Sequence, residues 1–421
     1  MTQFQSPKGM PDFYAQEKST QNALFEVMSK TAKSFAFQEI DCPVIESFAL
    51  LSAKSGEEIK SQIFMLEKKG TEELALRPEF TPGFARMFVA KQIELPKPVK
   101  WFTIGKAWRY EAPQKGRSRE FFQLNAELYG SKSSDADAEI INLAITILKN
   151  FGLKDSDFVV QINNRKLLSS IISNSIENEK VQQAMRLIDK SAKITQAEFD
   201  LEAGKEGLNK KQITALKEIT QLKGDPSKVI YDLEKMNLLP EGLEGLNEIK
   251  SLIKFLPKKG IIIDISLARG FAYYTGTVFE ISDAQKKFRA ICGGGRYDNL
   301  IEVFGGQKTP AVGFGMGDKT ISLLLQDKGL LPKQDIAPDF FVANINETTL
   351  NFSKEIAAQL RIKYVVEIDL MQRKLAKQLD YANSIGAKKV IFVGEEELKT
   401  KILKIKDMRT GKEEKVKLTE L

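Results

Sequence analysis

Arg109, Arg117 and Arg119 flank a basic, turn-forming stretch, Ala112-Pro113-Gln114-Lys115-Gly116. Guanidinium forks bind phosphate oxygens in pairs, so three of them beside one turn could hold a polyphosphate. Immediately downstream, Phe121, Gln123, Asn125 and Glu127 occupy alternate positions of a β-prone run. Period-two alternation puts all four on one face of a strand. An aromatic ring, two amides and a carboxylate behind an arginine rim would suit a triphosphate at the rim and a small polar molecule on the floor. An ordinary basic hairpin with solvated arginines carries the same pattern, and this stretch alone leaves the two readings level.

The chain contains no histidine. That removes Ser-His-Asp triads, histidine general bases and histidine metal ligands together. Two cysteines, Cys42 and Cys292, cannot make a tetrahedral zinc site, and no metal site is expected. Any chemistry must run on arginine, lysine, carboxylates, amides and tyrosines, with Mg2+ as an added charge.

The elements that must position these residues follow from the hydrophobic periodicity. An amphipathic helix is predicted over 17–37, and a strand over 39–45 interrupted by Pro43. A short strand, a turn and a helix are predicted over 74–88, then a long antiparallel hairpin over 101–130. A helix over 135–151 starts at Ser133-Ser134-Asp135. Residues 165–258 read as a helical insertion, rich in Lys, Glu, Gln, Ile and Leu at helical spacing. From Gly260 the β-signal returns, through the cluster Gly293-Gly294-Gly295 and a glycine-rich strand that feeds a helix over 311–325. Residues 331–338 read as a linker, and strands and helices alternate beyond it, the pattern of a small, mostly parallel or mixed sheet.

At 421 residues there is room for two or three domains. The excess of 63 Lys and Arg over 56 Asp and Glu permits a polyanionic partner without demanding one. The N-terminal stretch lacks the apolar core of a secretory signal, no run approaches a membrane span, and two lone thiols fit a reducing compartment, so a cytoplasmic protein with no membrane partner is expected.

Several blocks together resemble the class II aminoacyl-tRNA synthetases, and among them the histidine-specific family. FAFQEIDCPVIE (35–46) resembles the class's dimer-interface motif. LRPEFTPGFARM and the hairpin resemble the amino-acid-binding segment and the second class motif. LARGFAYYTGTVFE (267–280) and CGGGRYDNL (292–300) resemble the two histidine-specific blocks, and the C-terminal QRKLAKQLDYANSIGAKKVIFVGEEE the anticodon-binding domain. The resemblance implies an α+β fold: a class II core over 1–330 with an antiparallel sheet flanked by helices, the insertion within it over 165–258, and an α/β anticodon-binding domain over 336–421. It implies a homodimer that uses ATP and Mg2+ to form histidyl-adenylate from L-histidine, then passes the histidyl group to tRNA(His). By the same resemblance, Arg109 holds the α-phosphate and the attacking carboxylate, and Arg269 stabilises α-phosphate charge at the transition state. Glu111 meets the adenine amine, Phe121 stacks on adenine, and Arg117 reaches the terminal phosphates. Glu79, Thr81 and Gln123 take the ammonium. Glu127 and Tyr274 take the imidazole, and Gly293, Gly294 and Gly295 allow close backbone approach. Tyr273 is carried with the imidazole set, although strand alternation turns it partly toward the core. Gln114, Lys115 and Arg119 face the tRNA acceptor end, while Gln372, Arg373 and Lys377, with Lys388 and Lys389, face the anticodon stem.

Two positions depart from the family pattern. Ala272 stands where an aspartate is usual, and Thr320 stands where the third class motif carries an arginine for the ATP γ-phosphate. Lys319 is one residue off, which on a helix points it elsewhere. Mg2+ bridging the phosphates, through Glu79 or other carboxylates, would supply the missing charge. The rival reading is a non-catalytic paralogue, the histidine-sensing regulatory subunit of ATP phosphoribosyltransferase. The C-terminal domain and the set Arg109, Arg117 and Arg269 oppose it. The absence of histidine residues is read as compositional drift rather than an adaptation to histidine starvation.

Overall fold

The computed structural model describes residues 4–53, 61–114, 116–191, 194–268 and 273–420. Lys115 and Arg269, with Phe271 and Ala272 of the same block, lie outside the described residues. The chain divides into two compact units, Met1–Lys333 and Gln334–Leu421.

The strands of the first unit are β1 (Gln38–Glu39), β2 (Ile45–Ser47), β3 (Leu74–Leu76), β4 (Val99–Trp108), β5 (Glu120–Tyr129), β6 (Phe158–Asn164), β7 (Lys223–Gly224), β8 (Ile261–Asp264), β9 (Thr277–Asp283), β10 (Cys292–Arg296) and β11 (Ala311–Gly317). β2 and β3 pair with each other; the remaining nine form one sheet in the order β1-β4-β5-β11-β10-β9-β6-β8-β7. Its pairings are antiparallel except β1 with β4 and β6 with β8. The expected strand over 39–45 is therefore two short strands in two different sheets. Pro43 explains the break, because its ring nitrogen cannot donate to a ladder.

Alternation sorts the two faces of this sheet. Leu124, Ala126 and Leu128 of β5, with Phe314 and Met316 of β11, bury in the largest apolar cluster. The helices α1 (Ala15–Ser34), α2 (Thr81–Lys91) and α3 (Ser134–Asn150) flank the sheet. α1 and α3 close the Leu124 face, contributing Leu24, Met28, Ile140, Leu143, Ile147 and other residues to that cluster. α3 begins where its capping signal falls, with the Ser133 hydroxyl accepting from the Asp135 amide at 3.2 Å. α2 packs on the opposite face, where Phe80, Phe84 and Phe88 meet Trp101 and Tyr129.

The insertion is helical, with α4 (Arg165–Ser173), α5 (Val181–Ser191), α6 (Gln196–Lys205), α7 (Lys210–Gln221), α8 (Pro226–Glu234) and α9 (Pro240–Ile253). Reciprocal capping boxes, Thr195 with Glu198 and Asn209 with Gln212, start α6 and α7. Prolines open α8 and α9. Composition gave no hint of β7, whose two residues pair with Asp264 and Ile263 and join the insertion to the sheet edge. After β11 the chain enters α10 (Asp318–Asp327).

The second unit has a five-stranded mixed sheet. Its strands are β12 (Phe340–Asn344), β13 (Val366–Ile368), β14 (Lys389–Val393), β15 (Ile402–Asp407) and β16 (Glu413–Lys417), ordered β13-β12-β14-β15-β16. The first three are parallel and linked by α11 (Leu350–Leu360) and α12 (Leu375–Ser384). The hairpin β15–β16 adds an antiparallel edge that the alternation of the sequence had not shown.

Candidate active site

The site grows from β5. Its alternate side chains do share one face, and they are wired along it: the Gln123 amide donates to Asn125 Oδ1 at 3.3 Å, and the Asn125 amide to Glu127 Oε1 at 2.8 Å. Thr81, at the start of α2, donates to the same Glu127 oxygen at 2.6 Å. β11 lies beside β5 with Gly313 opposite Glu127 and Gly315 opposite Asn125. Gly313 is spatially required by the Ala126 backbone and Glu127, and Gly315 leaves room for the Gln123 amide where it now lies. A Cβ on Gly315 would stand 2.4 Å from Gln123 Nε2, and one on Gly313 would stand 2.7 Å from Glu127 Cγ. The floor is thus made by bare backbone on one strand and polar side chains leaning over it from the next.

Above the floor is a cavity of about 120 Å3, lined by Glu79, Thr81, Arg109, Gln123, Asn125, Tyr273, Tyr274, Gly293, Tyr297, Gly313, Phe314 and Gly315. Glu79 sits in the turn before α2. Its Oε2 accepts from the Tyr273 hydroxyl at 3.1 Å, while Oε1 is buried with no hydrogen-bond partner. Burial pushes the Glu79 carboxyl up to about 7, against the pull of the Arg109 charge and the Tyr273 hydroxyl. A buried carboxylate oxygen left unpaired costs free energy that an incoming cationic donor would recover. Arg109 is held at the end of β4, its Nε donating to the Pro78 carbonyl at 3.0 Å and its guanidinium 5.3 Å from the centre of the Phe121 ring.

Both Tyr273 and Tyr274 line the cavity, and Tyr273 also packs against the apolar cluster of Phe80, Phe84 and Trp101, so its expected partial turn toward the core holds although the two tyrosines do not face opposite ways. The reason is local: Tyr273 and Tyr274 lie in a turn ahead of β9, where strand alternation has not begun. Gly295 serves Tyr274 directly, since a Cβ there would come within 2.9 Å of its ring. Glu127 is placed one layer lower than its neighbours. It is 1 % exposed, and its two oxygens already accept from Thr81, Asn125 and Tyr129. Burial raises its carboxyl, and those three hydrogen bonds oppose the rise. Asn125 and Tyr297 stand in the cavity wall without having been assigned a role from sequence. The alternation that selected Gln123 also selects Asn125; Tyr297 follows Gly295-Arg296 and had no independent signal.

At the rim, Arg117 pairs with Glu111 at 2.5 Å. Arg119 stacks 3.9 Å above the Tyr110 ring, donates to the Glu111 carbonyl at 3.2 Å, and gives its amide to Gly9. These bonds tie Arg119 into the hairpin base and the N-terminal segment. Gln114 and Arg117 exchange backbone hydrogen bonds across the tip. A second, more open cleft of about 590 Å3 is walled by residues 6–11, by Pro113, Gln114, Gly116, Arg117 and Ser118, and by Lys319. Lys319 therefore reaches the same cleft as Arg117, rather than pointing away from it. Thr320 is 8 % exposed, beneath Gly116. In the second unit, Arg373 is engaged with Asp369 at 2.7 Å and lies over the Tyr381 ring, while Lys377 is 74 % exposed and pairs with Asp380.

A largely antiparallel sheet with a long hairpin, an arginine rim and a polar floor, joined to a separate small α/β unit, defines a class II aminoacyl-tRNA synthetase architecture. Comparison with known proteins narrows this. The sequence profile described as histidyl-tRNA synthetase matches residues 9–321, and that of an anticodon binding domain matches residues 339–421. The histidine–tRNA ligase of Pyrococcus furiosus is 39% identical over 421 residues, covering 98% of this chain and 96% of the relative. That of Haloarcula marismortui is 36% identical over 419 residues, covering 99% and 96%. Among solved structures, the histidyl-tRNA synthetase of Nostoc sp. PCC 7120 superposes with a TM-score of 0.81 at 26% identity, covering 100% of this chain and 99% of that one. The chain belongs to the histidyl-tRNA synthetase family. The fold is also shared, at 22% identity and a TM-score of 0.75, with a Bacillus halodurans chain described as an ATP phosphoribosyltransferase regulatory subunit/histidyl-tRNA synthetase, covering 93% of this chain and 98% of that one.

Proposed function

We propose that the chain joins L-histidine to tRNA(His) at this floor in two steps. The histidine carboxylate attacks the α-phosphate of ATP, expelling pyrophosphate and leaving histidyl-adenylate. A ribose hydroxyl at the tRNA 3′ end then attacks the acyl carbon, and AMP departs. Neither step needs a histidine base, because positioning and charge stabilisation carry most of the barrier reduction.

The observation that carries the reading is the buried, unpartnered Oε1 of Glu79 in a polar cavity of amino-acid size. An α-ammonium would fill it, with Thr81 and Gln123 as further acceptors. Tyr274 would face the imidazole with Asn125 and Tyr297, and Glu127, beneath them, would have to give up one of its present donors to accept from the ring. Gly293 and Gly295 keep the backbone close to the ligand. Arg109 would move from the Phe121 ring to the α-phosphate as adenine takes the ring face, and Arg269 would share that charge. Glu111 would exchange Arg117 for the adenine amine, freeing Arg117 for the terminal phosphates. Mg2+ would enter with ATP; among the described residues no three acidic or thiol groups cluster to hold an ion of their own.

For tRNA, the hairpin tip around Gln114 and Lys115 supports acceptor-end contact, with Arg119 shaping the tip from beneath. In the second unit Lys377 is the more available cation, and Arg373 would have to leave Asp369. A homodimer is supported by the 35–46 motif and by Val44, Ile45, Met65 and Leu74, exposed at the β2–β3 pair. No helix of the described residues is long and apolar enough to cross a membrane, which agrees with work in the cytoplasm.

The test is histidine-dependent ATP–pyrophosphate exchange. The natural chain should exchange, and Glu79→Gln should raise the KM for histidine at least ten-fold with a smaller change for ATP. Tight histidine binding without exchange by the natural chain would overturn the reading in favour of a histidine-sensing regulatory subunit.

A further inference from the structure

Thr320 leaves the terminal phosphates of ATP one cation short of the family's usual set, and the structure offers a replacement nearby. The start of α10 packs directly beneath the hairpin tip. A Cβ on Gly116 would stand 3.7 Å from Leu323 Cδ1 and 3.8 Å from the Thr320 hydroxyl. A long side chain at position 320 would have to share that space with the hairpin tip. The preceding residue, Lys319, opens instead into the 590 Å3 cleft that Arg117 also lines. Lys8, from the N-terminal segment, lines the same cleft. That segment is fastened to the hairpin by the Gly9 carbonyl, which accepts from the amides of Arg119 at 2.8 Å and Glu120 at 3.2 Å.

The cleft holds an excess of positive charge. Its described lining contains Lys8, Arg117 and Lys319 and no carboxylate. The Lys319 ammonium is held 4.7 Å from the centre of the Phe13 ring, and its charge also acts on the adjacent, buried Asp318. The acid beside it, Asp318, is 4 % exposed and turned inward, accepting from the Phe122 amide and the Gln21 side chain, each at 3.3 Å. Glu111 is the carboxylate on Arg117, and it is the group that adenine would recruit. A fourth cation, Arg289, lies just upstream of β10, whose first residue Cys292 is opposite Met316 near the end of β11. Burial and the neighbouring Arg117 charge lower its affinity for its proton, and Glu111 opposes this.

We propose that Lys319, assisted by Lys8, binds the β- and γ-phosphates of ATP together with Arg117, taking over the charge that an arginine at position 320 supplies elsewhere in the family. The inference rests on the adenylation reading above. It makes pyrophosphate, the leaving group, the ligand that this cleft recognises in both directions of the first step. Lysine is a point charge with three rotatable donors, so it can follow the phosphate chain without the fixed fork of arginine.

Exchange kinetics with Lys319→Met and with Lys8→Met/Lys319→Met test this. The single variant should raise the KM for ATP and for pyrophosphate about ten-fold and the double variant further, in line with the loss of charge-assisted hydrogen bonds. The KM for histidine should stay within two-fold, which reports an intact fold, and Lys319→Arg should restore most of the loss. Unchanged ATP and pyrophosphate constants in the double variant would overturn the proposal. So would an effect confined to the KM for tRNA, which would assign the cleft to the acceptor strand. Titration with Mg2+–pyrophosphate alone separates the two readings. If the natural chain fails to exchange yet binds pyrophosphate through Lys319, adenylation falls and the anion site stands; if it exchanges and Lys319→Met binds pyrophosphate equally well, only the anion site falls.

Discussion

At the scale of single residues, Glu79 and Gly315 make the sharpest predictions. The Glu79 carboxyl lies near 7 in the folded chain, above its ordinary value near 4.5, because burial penalises its charge. Protonated Glu79 cannot pair with an ammonium, so the KM for histidine should fall as pH rises from about 6 to about 8, and Glu79→Gln should flatten that dependence. The same shift has the opposite consequence for the empty protein. A carboxyl whose folded value is raised takes up a proton on folding between roughly 4.5 and 7, so its contribution to stability declines as pH rises through that window. Gly315→Ala should raise the KM for histidine ten-fold or more with little change for ATP, measured by exchange, because the added carbon would displace the Gln123 amide. Residue identity was legible where alternation or the family blocks selected it, as for Gln123 and Tyr274. Tyr297 lies within the CGGGRYDNL block but had no assignment there, and which loop walls the cleft beside Lys319 is information that one strand's periodicity does not hold.

Among the elements, the junction of β10 with α3 fixes the back of the site. Arg296, at the end of β10, donates to Asp137 of α3 from Nε at 3.0 Å and Nη2 at 3.1 Å, and to the carbonyls of Ser131 and Ser133. Both charged side chains are 3 % exposed. Removing Asp137 leaves Arg296 with one remaining carboxylate, the more exposed Asp298 at 3.1 Å, so Asp137→Ala should destabilise the fold by about 3 kcal/mol in chemical denaturation, the lower end for a broken buried pair. Loss of less than about 1 kcal/mol would mean that Asp298 and the Ser131 and Ser133 carbonyls suffice for Arg296. Because Tyr297 follows Arg296 directly, the surviving fold should also bind histidine more weakly. Element type was readable where the signals were long or capped, from the start of α3 to the alternation of β5. Element partnership was less so: Pro43 announced a break, but not that β1 and β2 would enter different sheets, and β7 is too short for any periodic signal.

For the whole molecule, the division after Lys333 leaves each unit with its own core. Phe340, Val342, Phe352, Ile356 and Ile391 form one that is confined to the second unit. Separate cores allow separate unfolding. Urea titration followed by tryptophan fluorescence, with both tryptophans (Trp101 and Trp108) in the first unit, should report a transition distinct from that seen by far-UV circular dichroism. Coincident curves would show that the units unfold as one. The order of the units was plain from the linker and the return of αβ alternation, whereas the hairpin β15–β16 was hidden by lysines and glutamates on an exposed edge.

The unpaired oxygen of Glu79 has one more consequence, in proton traffic. Burial favours a proton on that carboxyl in the empty site, and an ammonium settling beside it would expel it. Histidine capture near neutral pH should then release protons to the solvent. Calorimetric heats would differ between buffers in proportion to the buffers' own ionisation heats, and the part of that difference owed to Glu79 would vanish in Glu79→Gln.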